Sequence, residues 1–372
     1  MALNELKTAP AVFAVNNDYK IMVMTKSDLV FWVQVGDKTY YDHSNGILRS
    51  STRIHSVTVP MSELDGAKEY TVFYRKIIDR KPYFPELCES ESETYSFRPL
   101  DFSKPVNIYH IADAHGDGVY TTRAAEYFGN ELDLLILNGD IPNHSGDIEN
   151  FNLIYELCDS LTGGHIPCIF SRGNHDTRGF YAENIADYTP TENGRSYFSF
   201  RLGKLWGLVL DTGEDKPDTN AEYGGTICCH AFREEETRYI EKIIQNAEKE
   251  YNAEGVEYRF VISHTPFAHT QEHPFDIEQD TYKYWLKLLG ENVKPQLMIH
   301  GHTHTLAVSH IGGEYDSKGQ ICPVVIGSKP VRPNKIASAY TGAAMTVYKN
   351  SVDVKFTDDK KEVVYKETIE LK

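Results

Sequence analysis

The chain has 372 residues, more than one ordinary hydrophobic core serves, so two domains are expected, one of them large. Its formal net charge of −16 opposes attraction to nucleic-acid phosphates or anionic membrane surfaces, which need clustered Lys and Arg, so neither partner is expected. A hydrophobic content of 41% with 25% charged residues excludes a disordered chain and fits an ordinary globular one.

Cys88, Cys158, Cys168, Cys228, Cys229 and Cys322 are scattered, and no two have C-x-x-C spacing. They read as free thiols in a reducing compartment. The opening stretch, residues 1–20, lacks a basic region followed by an apolar run and a small-residue cleavage site. No apolar run approaches the length of a membrane span. A cytoplasmic protein is expected.

Residues 1–100 read as all-β. "KIMVMT", "DLVFWVQVG", "KTYYD", "RIHSVTVP", "EYTVFYRKI" and "TYSFRPL" are short, β-branched and aromatic, with turn residues between them. That spacing predicts a sandwich of the immunoglobulin or fibronectin type III kind. Leu64 and Tyr70 flank a turn before a strand, the setting of a tyrosine corner in which the phenol bonds back to its own loop. No cluster of acids, bases or metal ligands falls here, and a packing or spacer role is expected. "RPLDFSKP", 98–105, reads as a linker, with Pro99 and Pro105 as breakers.

Residues 105–372 read as a second domain of α/β type. "VNIYHIAD", "LDLLILNGD", "IPCIFSRGNH", "KLWGLVLDTG", "YRFVISHTP" and "PQLMIHGH" are nearly continuous apolar runs, as for strands covered on both faces. Between them lie helical patterns. "DIENFNLIYELCDSLTGG" has Asp147 as N-cap and Gly163 as stop. "FREEETRYIEKIIQNAEKE" puts Tyr239, Ile240, Ile243 and Ile244 on one stripe, with the rest polar. "TYKYWLKLLG" is a shorter helix, and the chain closes in strands joined by polar turns.

The ends of the apolar runs carry the chemistry. They deliver Asp113 and His115, Asp140, Asn174 with His175 and Asp176, His264, and His302 with His304. Ligands of open α/β sheets bind beyond the carboxyl ends of the strands. Each end alone has an ordinary explanation as a turn or cap, with Gly139, Gly173 and Gly301 permitting tight turns; five together point to a site. The donors are imidazole, carboxylate and one amide, without thiolate, which suits manganese, iron or zinc. They are too many for one catalytic zinc, and a carboxylate can bridge two ions. His300, still on its strand, reads as structural.

The ordered blocks "DAH", "GD", "GNHD", "SH" and "GHTH" resemble those of the calcineurin-like metallophosphoesterases, over roughly residues 105–350. The front domain followed by this one is similar to the layout of purple acid phosphatases. The resemblance implies an α/β (α+β) metallophosphoesterase sandwich, two mixed sheets flanked by helices. It implies two divalent or trivalent ions, manganese, iron or zinc. Asp113, His115, Asp140 and His304 would hold one, and Asp140, Asn174, His264 and His302 the other. His175 would face the substrate as general acid or phosphate donor, with Asp176 orienting it. Arg172 matches a phosphate-contacting arginine of the family's protein phosphatases, or is a surface charge.

The implied reaction is attack on a small phosphate ester by hydroxide from water shared between two cations about 3.5–4 Å apart. Asn143, His144 and Arg178 are candidates for substrate contact, Arg178 alternatively for a surface salt bridge. The loops 177–181, 211–225 and 268–276 are candidates for substrate selection, with His269 and His273 read as exposed loop residues. Purple acid phosphatases place a tyrosine where this chain has Asn143, so no purple colour is expected. They also have D-x-G and G-N-H-E where this chain has "DAH" and "GNHD". The protein phosphatases follow G-D with Asp and Arg, whereas Asn143 and His144 stand here. The reading is a phosphomonoesterase. The alternatives are a phosphodiesterase of the cyclic-nucleotide or glycerophosphodiester type, and a silent metal-binding scaffold.

Overall fold

The apolar runs after residue 105 become strands buried on both faces. The structure is a computed structural model and describes residues 5–330 and 340–371. The first four residues, part of the stretch read for a targeting signal, lie outside it. Val106–Ile111, Leu134–Asn138 and Cys168–Ser171 run parallel, side by side. Tyr340–Val347, Ser351–Asp358 and Val363–Glu370 extend this sheet antiparallel beyond the first of them. A second sheet carries Leu205–Leu210, Tyr258–Ser263, Leu297–His300 and Val324–Ile326 in parallel, with antiparallel Phe198–Leu202 and Ala307–Ser309 at its edges.

The two sheets face each other. Ile108, Leu134, Ile136 and Ile169 share one core with Phe200, Val209, Phe260 and Ile299. Helices Gly118–Ala125 and Asn152–Thr162 cover the outside of the first sheet, and Cys229–Gln245 and Gln279–Leu288 the outside of the second. Layering each sheet this way buries the parallel strands on both faces, and it aligns their carboxyl ends along one edge.

The helix patterns hold with instructive exceptions. Gly163 stops its helix in the left-handed region at φ +54°, whereas Asp147 precedes a short 3₁₀ turn and makes no side-chain cap bond. On Cys229–Gln245 the stripe buries Tyr239, Ile240 and Ile243, and Ile244 is half-buried. Arg233 and Glu236, expected on the polar side, are buried too. Both serve the loop after the strand Leu205–Leu210: Glu236 accepts from the Asp211 N–H at 2.7 Å, and Arg233 Nε donates to the Thr212 carbonyl at 2.7 Å.

The front of the chain is an all-β sandwich. Ala11–Val15, Asp18–Met24 and Ile54–Pro60 form one layer, and Lys38–Tyr41, Leu29–Val35, Glu69–Asp79 and Glu91–Ser96 the other. Alternate residues meet between them, Tyr19, Ile21 and Val23 against Phe31, Val33 and Val72. The first layer does not end there. Ala11–Val15 pairs parallel with Cys168–Ser171, Phe13 opposite Cys168, so one ten-stranded sheet runs through both parts of the chain. Sequence patterning misses this joining strand because "AVFAV" is buried at all five positions and shows no alternation.

Tyr70 corrects a second expectation. Its phenol donates to the carbonyl of Gly164 at 2.9 Å, across the joint, and not to its own loop. Lys68, in the left-handed region at φ +57°, instead closes the helix Met61–Ala67 with its N–H on the Leu64 carbonyl. The 98–105 segment is also tied down, with the Arg98 N–H on the His165 carbonyl at 2.8 Å.

Candidate metal centre

The ends of Val106–Ile111, Leu134–Asn138 and Leu297–His300 turn sharply, and the turns are costly. Asp113, His115, Asp140, His302 and His304 all have φ between +47° and +68°, a region that side-chain-bearing residues seldom occupy. The D-x-H and H-x-H segments use the same device at i and i+2, which points both side chains of each pair inward. The loops then lock together through the backbone. The His115 N–H donates to the Asp140 carbonyl at 2.9 Å, the His302 N–H to Asp113 Oδ2 at 2.9 Å, and the His175 N–H to Asp140 Oδ1 at 2.8 Å. Gly139, at φ +78°, lies so close to Gly173 that a Cβ on it would stand 2.6 Å from the Gly173 Cα. Gly301 needs no left-handed backbone; a Cβ there would meet the Ala112 methyl at 2.5 Å, so close approach explains it instead of the tight turn expected.

The inward atoms form overlapping donor groups. Asp113, His115 and His304 make one, Asp140, His264 and His302 another, and His115, Asp140 and His175 a third, with the donor atoms of each group all within 4.8 Å of one another. His115 Nε2 is 3.1 Å from His304 Nε2, and His304 Nε2 is 3.3 Å from Asp113 Oδ1. His264 Nε2 is 3.2 Å from Asp140 Oδ2 and 3.7 Å from Asp113 Oδ1. His264 is oriented by its other nitrogen, Nδ1, on the Asn138 carbonyl at 2.7 Å. The Asn174 amide lies 3.1 Å from His302 Nδ1. Hydrogen bonding among protein groups alone turns its nitrogen inward and its oxygen to Arg178 Nη2 at 3.1 Å; a ligating oxygen needs the opposite orientation.

These donors fit cations. Asp113 Oδ1 is buried and accepts no hydrogen bond, the condition of an atom shaped for a positive charge. Burial alone would raise the Asp140 carboxyl, but the His264, His175 and His115 imidazoles hold it well below the usual range. Burial would lower His264, but Asp140 and Asp113 beside it push it up to about 10. His115 goes the other way, down to about 4, mainly through burial. Two buried carboxylates thus gather positive charge from whatever neighbour can supply it, and a cation supplies the same charge. The set is nitrogen and oxygen without sulfur, the donor chemistry of manganese, iron or zinc.

Residues 106–306 match the model of the calcineurin-like phosphoesterase family. The chain belongs to that family. Among curated proteins no sequence match is found. Two solved structures share the fold across both parts of this phosphoesterase. A purple acid phosphatase from yellow lupin (Lupinus luteus) seeds superposes with a TM-score of 0.59 at 12% identity, covering 98% of this chain and 74% of its own. PhoD superposes at 0.57 and 12% identity, covering 100% of this chain and 90% of its own. The phosphoesterase is a hydrolase of phosphoric esters, and no helix among its described residues is long and apolar enough to cross a membrane.

The residues flanking the donors divide into three kinds. His175 belongs to the site. Its Nδ1 donates to the Asn143 carbonyl at 2.8 Å, which turns Nε2 toward the cluster, 4.0 Å from Asp140 Oδ2. Asn143 therefore enters through its backbone, as the anchor of His175. Arg178 also belongs: Nη1 is 3.3 Å from His175 Nε2, and a bidentate pair with the buried Glu214, at 2.7 and 2.9 Å, fixes its guanidinium. Arg178 is thus paired as the surface alternative supposed, yet aimed at the centre.

Asp176 and Arg172 take other roles. Asp176 Oδ2 accepts from the N–H of Gly173 at 2.7 Å and of Asp140 at 3.1 Å, so it braces the two ligand loops instead of reaching the His175 ring. Burial and the Asp140 charge raise its value. Arg172 is neither a phosphate contact nor a surface charge. Its Nε lies 2.5 Å from the buried Asp211, and its guanidinium covers the Phe232 ring. Burial lowers the arginine's value, but Asp211 overrides this and leaves it raised. His144 points away, its Nδ1 accepting from the Gly146 N–H at 3.0 Å and its carbonyl from Asn150 at 2.8 Å. His300 is buried and bonded through Nδ1 to Ser263, a structural role as read. Patterning reached Glu214 and Asp215 only as members of the loop 211–225 and gave neither a role; two acids in a polar loop carry no individual signal until their partners are known.

Proposed function

We propose that this phosphoesterase is a dinuclear metal-dependent enzyme that hydrolyses phosphate monoesters. The observation that carries the reading is Asp140, whose Oδ2 lies between the donor group of His264 and His302 and that of His115. Asp113, His115, Asp140 and His304 would hold one ion, and Asp140, Asn174, His264 and His302 the other. Bound there, such ions would acidify a water and neutralise charge on the phosphoryl oxygens. The chain's own groups do the rest. The cluster is closed on the Asp113 and His264 side and opens at His304, His175 and His115, so the ester enters from that side. Arg178, held flat by Glu214, donates to a non-bridging phosphoryl oxygen. His175 carries a proton on Nε2 to the leaving oxygen while the Asn143 carbonyl keeps its ring in place.

A diester reading has one observation in its favour. Glu214, Asp215 and Glu222 surround Arg178, with Lys216 the other cation among them. A monoanionic diester tolerates that carboxylate-rich rim better than a dianionic monoester. The deciding experiment compares 4-nitrophenyl phosphate with bis(4-nitrophenyl) phosphate on metal-stripped protein reloaded separately with Mn²⁺, Fe²⁺ or Zn²⁺. Faster monoester turnover is expected. Faster diester turnover would replace this reading with the second, and no turnover on either with two ions bound would favour a scaffold.

A further inference from the structure

Asp215 is a nearly buried acid that the steps above do not use; it is 8% exposed, in the loop 211–225. Its two oxygens face different groups. Oδ1 accepts from the Tyr223 phenol at 3.0 Å and from Lys216 Nζ at 3.3 Å, and Arg178 Nη2 is 3.7 Å from the same atom. Oδ2 faces the metal centre, 3.7 Å from His302 Nε2. The other nitrogen of that ring, Nδ1, lies 3.1 Å from the Asn174 amide, inside the cluster. The His302 imidazole is therefore strung between the centre and a carboxylate that three other groups already hold in place.

We propose that Asp215 is the positioning residue for His302, keeping Nδ1 turned to the metal and the ring proton on Nε2. The assignment rests on the dinuclear reading above. A neutral imidazole offers one lone pair, and the partner of its other nitrogen decides which one. A carboxylate in that place also makes the ligating nitrogen more basic. At 3.7 Å the pair is an electrostatic contact, and an approach of about half an ångström makes it a hydrogen bond. The same loop then serves both halves of the site: Glu214 aims Arg178 at the phosphate, and Asp215 aims His302 at the ion.

The competing role is a loop brace, in which Asp215 matters only for Tyr223 and Lys216. Asp215→Asn separates the two. The amide can still accept from Tyr223, so the loop keeps its anchor, but the charge facing His302 is gone. Zn²⁺ and Mn²⁺ affinities of the stripped protein would be read by competition with a chelating indicator, beside the unfolding midpoint of the same stripped protein. One of the two binding steps is expected to lose about 10- to 100-fold in affinity. The stripped midpoint is expected to stay near wild type, and Asp215→Glu to regain part of the affinity. Unchanged affinity for both ions in Asp215→Asn would overturn the assignment alone, as would a lowered midpoint without an affinity change. A wild-type chain that takes up no ion would overturn the dinuclear reading and this assignment together.

Discussion

The metal edge and the joint to the front sandwich are built on opposite principles. At the edge, five side-chain-bearing residues occupy the left-handed region, two carboxylates are buried beside each other, and Asp113 Oδ1 has no hydrogen-bond donor. Each such backbone costs on the order of 1 kcal/mol or more, held in place by the fold around it. At the joint, Ala11–Val15 is plain extended strand, fully buried, beside Cys168–Ser171. A fully buried polar crossing there, the Tyr70 phenol on the Gly164 carbonyl, is satisfied. The outer ties, Arg49 to Asp187 and Lys7 to Glu149, are exposed ion pairs worth little. The edge is held against its own preferences to keep donors converged, whereas the joint follows burial. Changes at the edge should therefore cost activity and little stability, and changes at the joint the reverse.

Asp140→Asn should break the edge most severely. Turnover of a nitrophenyl phosphate is expected to fall about 10³-fold or more, roughly 4 kcal/mol of transition-state stabilisation, while the stripped chain still folds cooperatively. Turnover within tenfold of wild type would remove Asp140 from its shared position. His175→Asn comes next: a loss of about 10²- to 10⁴-fold in kcat with metal content unchanged by elemental analysis. Surviving activity would deny the ring its proton-carrying role.

His110 sits just behind the metal edge, on the strand Val106–Ile111, with Nε2 on the Asn138 amide at 3.1 Å. Burial pushes its value down to about 3 from an ordinary 6.5. The unfolded chain binds the extra proton between those values, so this contribution is whole above about pH 6.5 and is lost as the pH falls toward 3. By pH 5 the loss is about 2 kcal/mol, measured as a drop in urea midpoint. His110→Gln should flatten that slope, and an unchanged slope would place the acid sensitivity elsewhere. The smallest effect is at the joint. Tyr70→Phe should cost about 1 kcal/mol of stability with kcat intact; a kcat change would mean that the sandwich reaches the active edge.

Much of the site was legible because it sits where two signals coincide. An apolar run ending in Asp, Asn or His reports both a buried strand and the edge it points to, and five of them in order picked out the side chains that converge there. The sequence was silent where the outcome depends on partners distant along the chain. Arg172 beside a ligand loop looks like a phosphate contact until Asp211 is seen against it, and Asp176 looks like a partner for His175 until its oxygen is found on the Gly173 and Asp140 N–H groups. The left-handed ligand residues are invisible for another reason: propensity predicts glycine there, and function overrides it. Ala11–Val15 hid because a strand buried on both faces has no period to read.

The most direct test of the account is a stepwise titration of the metal-stripped chain with Mn²⁺ or Zn²⁺, following bound ion and 4-nitrophenyl phosphate hydrolysis in the same sample. Two ions per chain are expected, with activity rising on the second. Full activity at one ion per chain, or in the stripped protein itself, would contradict it.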